Sequence, residues 1–409
     1  MELAFVRRLQ YPFFIVSLHR EGVILTKRIF FLDNLKAFIV GIMVLFHAAM
    51  CYMAYAPEWW YVLDTQHTVY ATLFVIWADV FIMPVMFFVS GYFGILSLSR
   101  RSQKSFWRSK WIRIGFPWIF GAMLIAPCIA YLMIASRDIP MSFGEFYSRM
   151  FWGVAYEQAH YWYLGALMAL YGLLALAVKL RPAWKMQLPA SGPSGLFFIG
   201  VLLAGAVGSG VVNWFVPDGT WIHPLYILVL QPTRVPLYLL YFFLGVYAWR
   251  RQWFLPDAYQ PEAGVWLPVF ILLSAAYVLF RMLPMEPQTV SLESAAIRAV
   301  FHSLCCMTAV WALLAFFARY LAFTTKRLGV LAAVSYPVYY LHQFFVQEAA
   351  WLFRPLQLPV GIKYLLTCAL ALVVCFLLSR YLLLRLPCFK ESRQAMVSVS
   401  DRKGPQEKQ

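Results

Sequence analysis

The chain has 409 residues, 62% of them hydrophobic and 13% charged, with a formal net charge of +16. Soluble domains run near half apolar and a quarter charged, so this composition excludes an ordinary water-soluble fold. The basic residues gather at the ends of apolar runs, as the positive-inside rule expects of a membrane protein, so lipid is an expected partner and nucleic acid is not.

Residues 1–30 read as a cytoplasmic or interfacial lead-in. Their apolar patch, from Tyr11 to Leu18, is too short to span and is soon followed by Arg20, Lys27 and Arg28. Apolar runs long enough to cross the hydrocarbon layer then predict spans at 38–53, 69–96, 112–135, 161–178 and 195–216. Five more are predicted at 225–249, 265–280, 299–317, 330–352 and 364–384.

The loops test this count. Basic clusters follow the even spans: Arg100, Arg101, Lys104, Arg108, Lys110 and Arg113; Lys179, Arg181 and Lys185; Arg250 and Arg251; Arg319, Lys326 and Arg327; and Lys390, Arg393, Arg402 and Lys403 in the tail. The odd loops hold Glu58 and Asp64, then Glu145 and Glu157, then Asp218, then Glu286 and Glu293. This alternation predicts an all-α, polytopic transmembrane helical bundle of about ten spans with both termini cytoplasmic. The stretch from Pro189 to Ser194 reads as a turn, and residues 389–409 as a polar cytoplasmic tail. Residues 31–388 form one membrane domain. The seven cysteines, mostly inside apolar runs and without CxxC spacing, read as packing residues, and no metal site is expected.

An ionisable side chain inside a span is costly unless paired or hydrated, which marks it as a functional candidate. His47, Asp79 and His342 stand out. Lys36 and His47 are eleven residues apart, which returns to one helix face with the imidazole about 16 Å deeper. A cation at the cytoplasmic mouth with an imidazole near mid-membrane suits a long anionic donor whose reactive end reaches inward. A snorkelling lysine and a packed histidine explain the same spacing. Asp79 lies at a depth where it would orient the His47 imidazole if the first two spans are neighbours; a buried structural hydrogen bond is the alternative. His342 is either a packing residue bonded to tyrosine or part of the same site. Gly91 reads as a close-approach residue and Ser90 as a hydrogen-bonding neighbour rather than a nucleophile.

At these residues the sequence resembles the acyltransferase 3 family of integral membrane proteins, which includes glycan O-acetylases and glucan-succinylating proteins. The matching stretches are Phe31-Leu32-Asp33-Asn34-Leu35-Lys36-Ala37 with His47 following, Met83-Pro84-Val85-Met86-Phe87-Phe88-Val89-Ser90-Gly91-Tyr92-Phe93, and Lys110-Trp111-Ile112-Arg113-Ile114-Gly115-Phe116-Pro117. Further matches are His160-Tyr161-Trp162-Tyr163-Leu164, Tyr241-Phe242-Phe243-Leu244-Gly245, and the run from Ser335 through Tyr339 to His342. Lysine stands at 36 and 110 where the family has arginine, which keeps the charge but loses the two-pronged grip on phosphate.

The resemblance implies transfer of an acetyl or succinyl group from cytoplasmic acyl-CoA to a hydroxyl of an extracytoplasmic glycan, in the bacterial cytoplasmic membrane. Acyl-CoA would be a donor substrate, with no bound cofactor. The family often carries an additional soluble esterase-like domain, so a step needing it would require a partner protein. On this reading His47 either deprotonates the acceptor hydroxyl as general base or carries a transient acyl group, with Asp79 and His342 at the catalytic site. Lys36, Lys110 and Arg113 hold the donor phosphates, Asp33, Ser90 and Gly91 shape the motifs, and Glu157 and His160 face the acceptor. A transporter or glycan exporter remains the rival, since several spans with buried ionisable groups also suit a carrier.

Overall fold

The computed structural model describes residues 29–255, 257–282, 292–390 and 392. The expected lead-in and most of the expected tail lie outside these residues, as does Glu286. The described residues form a helical bundle without a β-strand.

In chain order the principal helices are α1 (Phe30–Met50), α2 (Val69–Asp79), α3 (Ile82–Ser99), α4 (Gln103–Ala135), α5 (Trp162–Leu180) and α6 (Gly195–Phe215). They continue as α7 (Val235–Arg250), α8 (Ala263–Met282), α9 (Leu292–Tyr320), α10 (Lys326–Phe353) and α11 (Val360–Tyr381). Among the described residues, eight helices are long and apolar enough to cross a membrane, with α2 and α3 together making one of them. The expectation of about ten counted α7 and α10, and neither is among the eight. α7 is only 16 residues long, because residues 224–226 and 232–234 form tight 3₁₀ turns where a helix from 225 was expected. α10 is long but carries His342, Gln343, Gln347 and Glu348 close together.

Prolines shape the path. Pro84 has no N–H to offer the Val80 carbonyl, and the second expected span breaks between Asp79 and Ile82. In α4, Pro117 likewise leaves the Arg113 carbonyl without its helical donor, and the helix passes through π turns at Trp111–Gly115 and Gly121–Ile125. The Tyr336 hydroxyl of α10 donates to that Arg113 carbonyl, and Tyr340, one turn on, donates to the Pro117 carbonyl at 3.1 Å. Tyr336 thus supplies the donor that Pro117 cannot, Tyr340 adds a second bond to a carbonyl that already accepts from Gly121, and together they fix α10 against α4.

α3 and α7 meet backbone to backbone. A Cβ on Gly91 would overlap the Phe242 carbonyl, and one on Gly245 would overlap the Phe88 carbonyl. This reciprocal close approach is the packing expected of small residues between membrane helices. α1 packs against α10 and α11. Residues 51–68 fold back over the end of α1, where Asp64 pairs with the buried Lys363 of α11 at 3.0 Å. Arg137 and Ser136 hold the Trp60 and Tyr61 carbonyls in turn, and the Trp60 ring lies over the final turn of α1.

Candidate active site

His47 lies in the last turn of α1. The helix begins at Phe30 and ends at Met50, so His47 stands about 25 Å from its start at 1.5 Å per residue. The imidazole is thus near one end of the helix, and Lys36 is nearer the other. Its Nδ1 lies 2.8 Å from Nε2 of His342, which is fully buried on α10. The Trp60 ring stacks on His47 with centroids 5.7 Å apart.

The partners settle the tautomers. Nδ1 of His342 lies 2.6 Å from the Tyr339 carbonyl, which has only lone pairs, so this nitrogen carries the proton. Nε2 of His342 is then an acceptor, and the Nδ1–H of His47 donates to it. The lone pair of a neutral His47 is left on Nε2. A chain from backbone carbonyl through His342 to His47 thus orients one imidazole as a base, the part a carboxylate plays in other His-based sites.

A second layer surrounds the pair. The His160 ring meets that of His342 at 4.7 Å, and its Nδ1 and Nε2 lie 3.0 Å from Gln343 Oε1 and 3.2 Å from the Tyr340 carbonyl. The Tyr61 hydroxyl donates to Glu157 Oε2 at 2.7 Å. Burial pushes the Glu157 carboxyl up to about 8, even though the Tyr61 hydrogen bond pulls the other way. His160 and Glu157 therefore belong to the same neighbourhood as His47 and His342.

The family described as "Acyltransferase domain" matches residues 29–380, most of the chain. The chain belongs to this family. The glucans biosynthesis protein C of Shigella dysenteriae serotype 1 (strain Sd197) is 26% identical over 149 residues, covering 35% of this chain and 37% of that protein. The protein of the same name from Escherichia coli (strain K12) is 25% identical over 149 residues, with the same coverage. The chain thus aligns with little more than a third of the length of these relatives. No solved structure matches it.

Other candidates in this acyltransferase domain stand elsewhere. Asp79 does not reach His47: it is half-exposed at the α2–α3 break and pairs with Arg234 at 3.2 Å. Arg234 also lies 3.7 Å from Asp218 and bonds His302, which takes Tyr277 on its Nδ1. Burial raises the Asp218 carboxyl, but Arg234 outweighs it and holds the group below the usual range. The expected Asp79–His47 pair is replaced because Pro84 breaks the span and turns the carboxylate towards α7.

Among the expected donor-binding cations, Lys36 pairs with Asp33 at 2.9 Å and rests 4.8 Å from the Phe93 ring centroid. Lys110 is turned into the protein, 4.0 Å from the Tyr171 centroid. Its expected position open to a phosphate is corrected: the ammonium is held by the faces of Tyr171 and Phe106. Arg113 is half-buried in the first π turn of α4. Ser90 Oγ lies 2.9 Å from the Tyr163 hydroxyl, and the Tyr171 hydroxyl donates to the Ser90 carbonyl at 3.3 Å. Hydrogen-bonded tyrosines therefore run from Lys110 towards Tyr339 and the imidazole pair, with Tyr163 and Tyr339 rings 5.8 Å apart.

Sequence reasoning passed over Gln343 and Gln347. Their signal was present: two amides one turn apart, just beyond a histidine inside an apolar run. Trp60 and Tyr61 carried no such signal, because their place depends on long-range bonds from Arg137, Ser136 and the Asp64–Lys363 pair.

Proposed function

We propose that this membrane protein moves an acyl group from acyl-CoA to a hydroxyl of an extracytoplasmic glycan, with His47 as the base. The observation that carries the reading is the His47–His342 pair, which fixes the lone pair of His47 on Nε2. Family membership supports acyl transfer, and the relatives named for glucan biosynthesis support a glycan acceptor.

In this reaction His47 Nε2 takes the proton of the acceptor hydroxyl as its oxygen attacks the thioester carbonyl carbon. The tetrahedral intermediate collapses by breaking the C–S bond, and the imidazolium returns the proton to the leaving CoA thiolate. His342 holds the His47 ring and shares the charge it gains. Lys36 and Arg113 sit far from the imidazole pair, where they would hold the donor's phosphates while its arm runs past the Tyr171–Ser90–Tyr163 series. Glu157 and His160, beside the pair, would position the acceptor. With the amino terminus cytoplasmic, His47 stands near the outer surface, where a glycan arrives. We infer residence in the bacterial cytoplasmic membrane, which the apolar helices and family membership support, with a partner protein for later handling of the glycan.

The test is transfer of label from acyl-CoA to a glucan acceptor by purified protein in detergent without an ion gradient. Wild type yields acylated glucan, and His47→Ala loses about 10² to 10⁴ of the rate while remaining folded. Undiminished transfer by His47→Ala overturns the assignment, and absence of transfer by wild type favours a carrier.

A further inference from the structure

We propose that the side-chain amide of Gln347 donates the hydrogen bond that stabilises the oxyanion formed at the thioester carbonyl. This inference rests on the acyl transfer proposed above.

Gln347 is fully buried on α10, five residues beyond His342. Its Oε1 accepts from the Cys51 thiol at 3.5 Å. Its Nε2 is buried and has no hydrogen-bond partner. An amide N–H taken out of water and left unmade costs about 1–3 kcal/mol, so a stable protein retains one only with a reason. Packing alone would be served better by methionine or leucine, which fit the space without an unpaired donor.

The position supplies the reason. Cys51 lies four residues past His47, one turn on and on nearly the same face, with its thiol directed at both the His47 carbonyl and Gln347. The thiol has one proton to share between these two oxygens; when it goes to Gln347, the amide is held by its oxygen end and its two N–H bonds face away. Cys51 thus links this amide to the turn of α1 that carries the imidazole proposed to activate the acceptor. When the hydroxyl oxygen adds to the thioester carbon, the carbonyl oxygen gains a full negative charge, and the catalytic gain comes from a donor already aimed and already dry. A second orphaned atom is in the same quarter: Oε1 of Glu157 is buried without a partner, on a carboxyl bonded to the residue next to Trp60. Among the described residues, three of the eight buried side-chain atoms without a partner, Gln347 Nε2, Glu157 Oε1 and Trp60 Nε1, belong to residues in or next to the shell around His47.

The deciding variant is Gln347→Met, which keeps length and removes the unpaired polar atom. The expected result is a kcat lower by about 10²–10³, the usual loss for one such donor. KM for acyl-CoA stays within threefold, and the melting temperature is equal to or above that of wild type. Loss of activity together with stability shows a structural role and overturns the proposal, as does a kcat within threefold of wild type. Gln347→Glu gives a second reading: it keeps size and the acceptor for Cys51, but donates only when protonated. Its kcat should fall with rising pH while wild type does not, and a parallel profile counts against the proposal. His47→Ala is assayed alongside. A dead His47→Ala with a fully active Gln347→Met refutes this inference alone, whereas an active His47→Ala refutes the reaction scheme beneath it.

Discussion

His47 and His342 meet nitrogen to nitrogen at 2.8 Å, from positions 295 residues apart in the chain. The contact has a direction, because the Tyr339 carbonyl decides which ring donates. Replacing His342 by Phe removes the acceptor and frees the His47 ring to adopt the wrong tautomer. We expect kcat to fall about 10²-fold or more with little change in KM for acyl-CoA. His342→Gln offers an oxygen to His47 and an N–H to Tyr339, and should recover part of the loss. Equal activity of the two variants in steady-state kinetics would reduce the pair to packing.

Glu157 gives a pH signature in stability. Its folded value of about 8 lies above the 4.5 of an exposed glutamate, so between these values the folded state binds more protons than the unfolded chain. Stability contributed by the protonated carboxyl is present below about 4.5 and is lost as pH rises through about 8. Melting curves in detergent should show wild type weakening across that window relative to Glu157→Gln. Parallel pH dependence of the two proteins would place the titration elsewhere.

Gly91 should tolerate nothing larger than hydrogen. A methyl group there meets the Phe242 carbonyl, and the reciprocal contact at Gly245 prevents either helix from retreating alone. Gly91→Val should abolish folded protein in membranes. Gly41→Ala, with open space around its Cβ, should be neutral or stabilising by about 0.5–1 kcal/mol through reduced backbone entropy. Comparable melting temperatures for the two variants would refute the crossing.

Arg234 is the buried member of its cluster, with Asp79 and Asp218 half-exposed beside it. Asp79→Asn leaves Arg234 its second carboxylate and should cost little stability and little acyl transfer. Arg234→Met leaves two solvated carboxylates but also takes the guanidinium from buried His302, and should lower the melting temperature chiefly through that lost hydrogen bond. If Asp79→Asn instead eliminates transfer at full stability, the carboxylate acts in the chemistry after all.

The sequence showed the bundle because apolar length and basic loop ends are local properties. It showed the His47–Lys36 spacing for the same reason: one helix sets both residues. The Asp79–His47 pairing failed because depth was judged from an uninterrupted span, and Pro84 interrupts it. Lys110 misled in another way, since a basic residue at a helix end is expected to face water unless tyrosine faces are known to await it. His342 was legible as a buried histidine, but its partner depended on α1 and α10 being neighbours, which no local pattern records.

α10 gathers the groups on which the proposed chemistry depends, and it is also a helix too polar to rank among the eight apolar spans. Side chains such as Glu348 and the two glutamines make a solitary α10 poorly held by lipid. Its residence relies on company: α1 offers His47, α4 offers two carbonyls to Tyr336 and Tyr340, and α11 packs along it. Since α10 is made after α1 and α4, a chain emerging from the ribosome holds its first imidazole idle for nearly three hundred residues. On the proposed mechanism, the oriented base is therefore completed only when α10 joins the assembly.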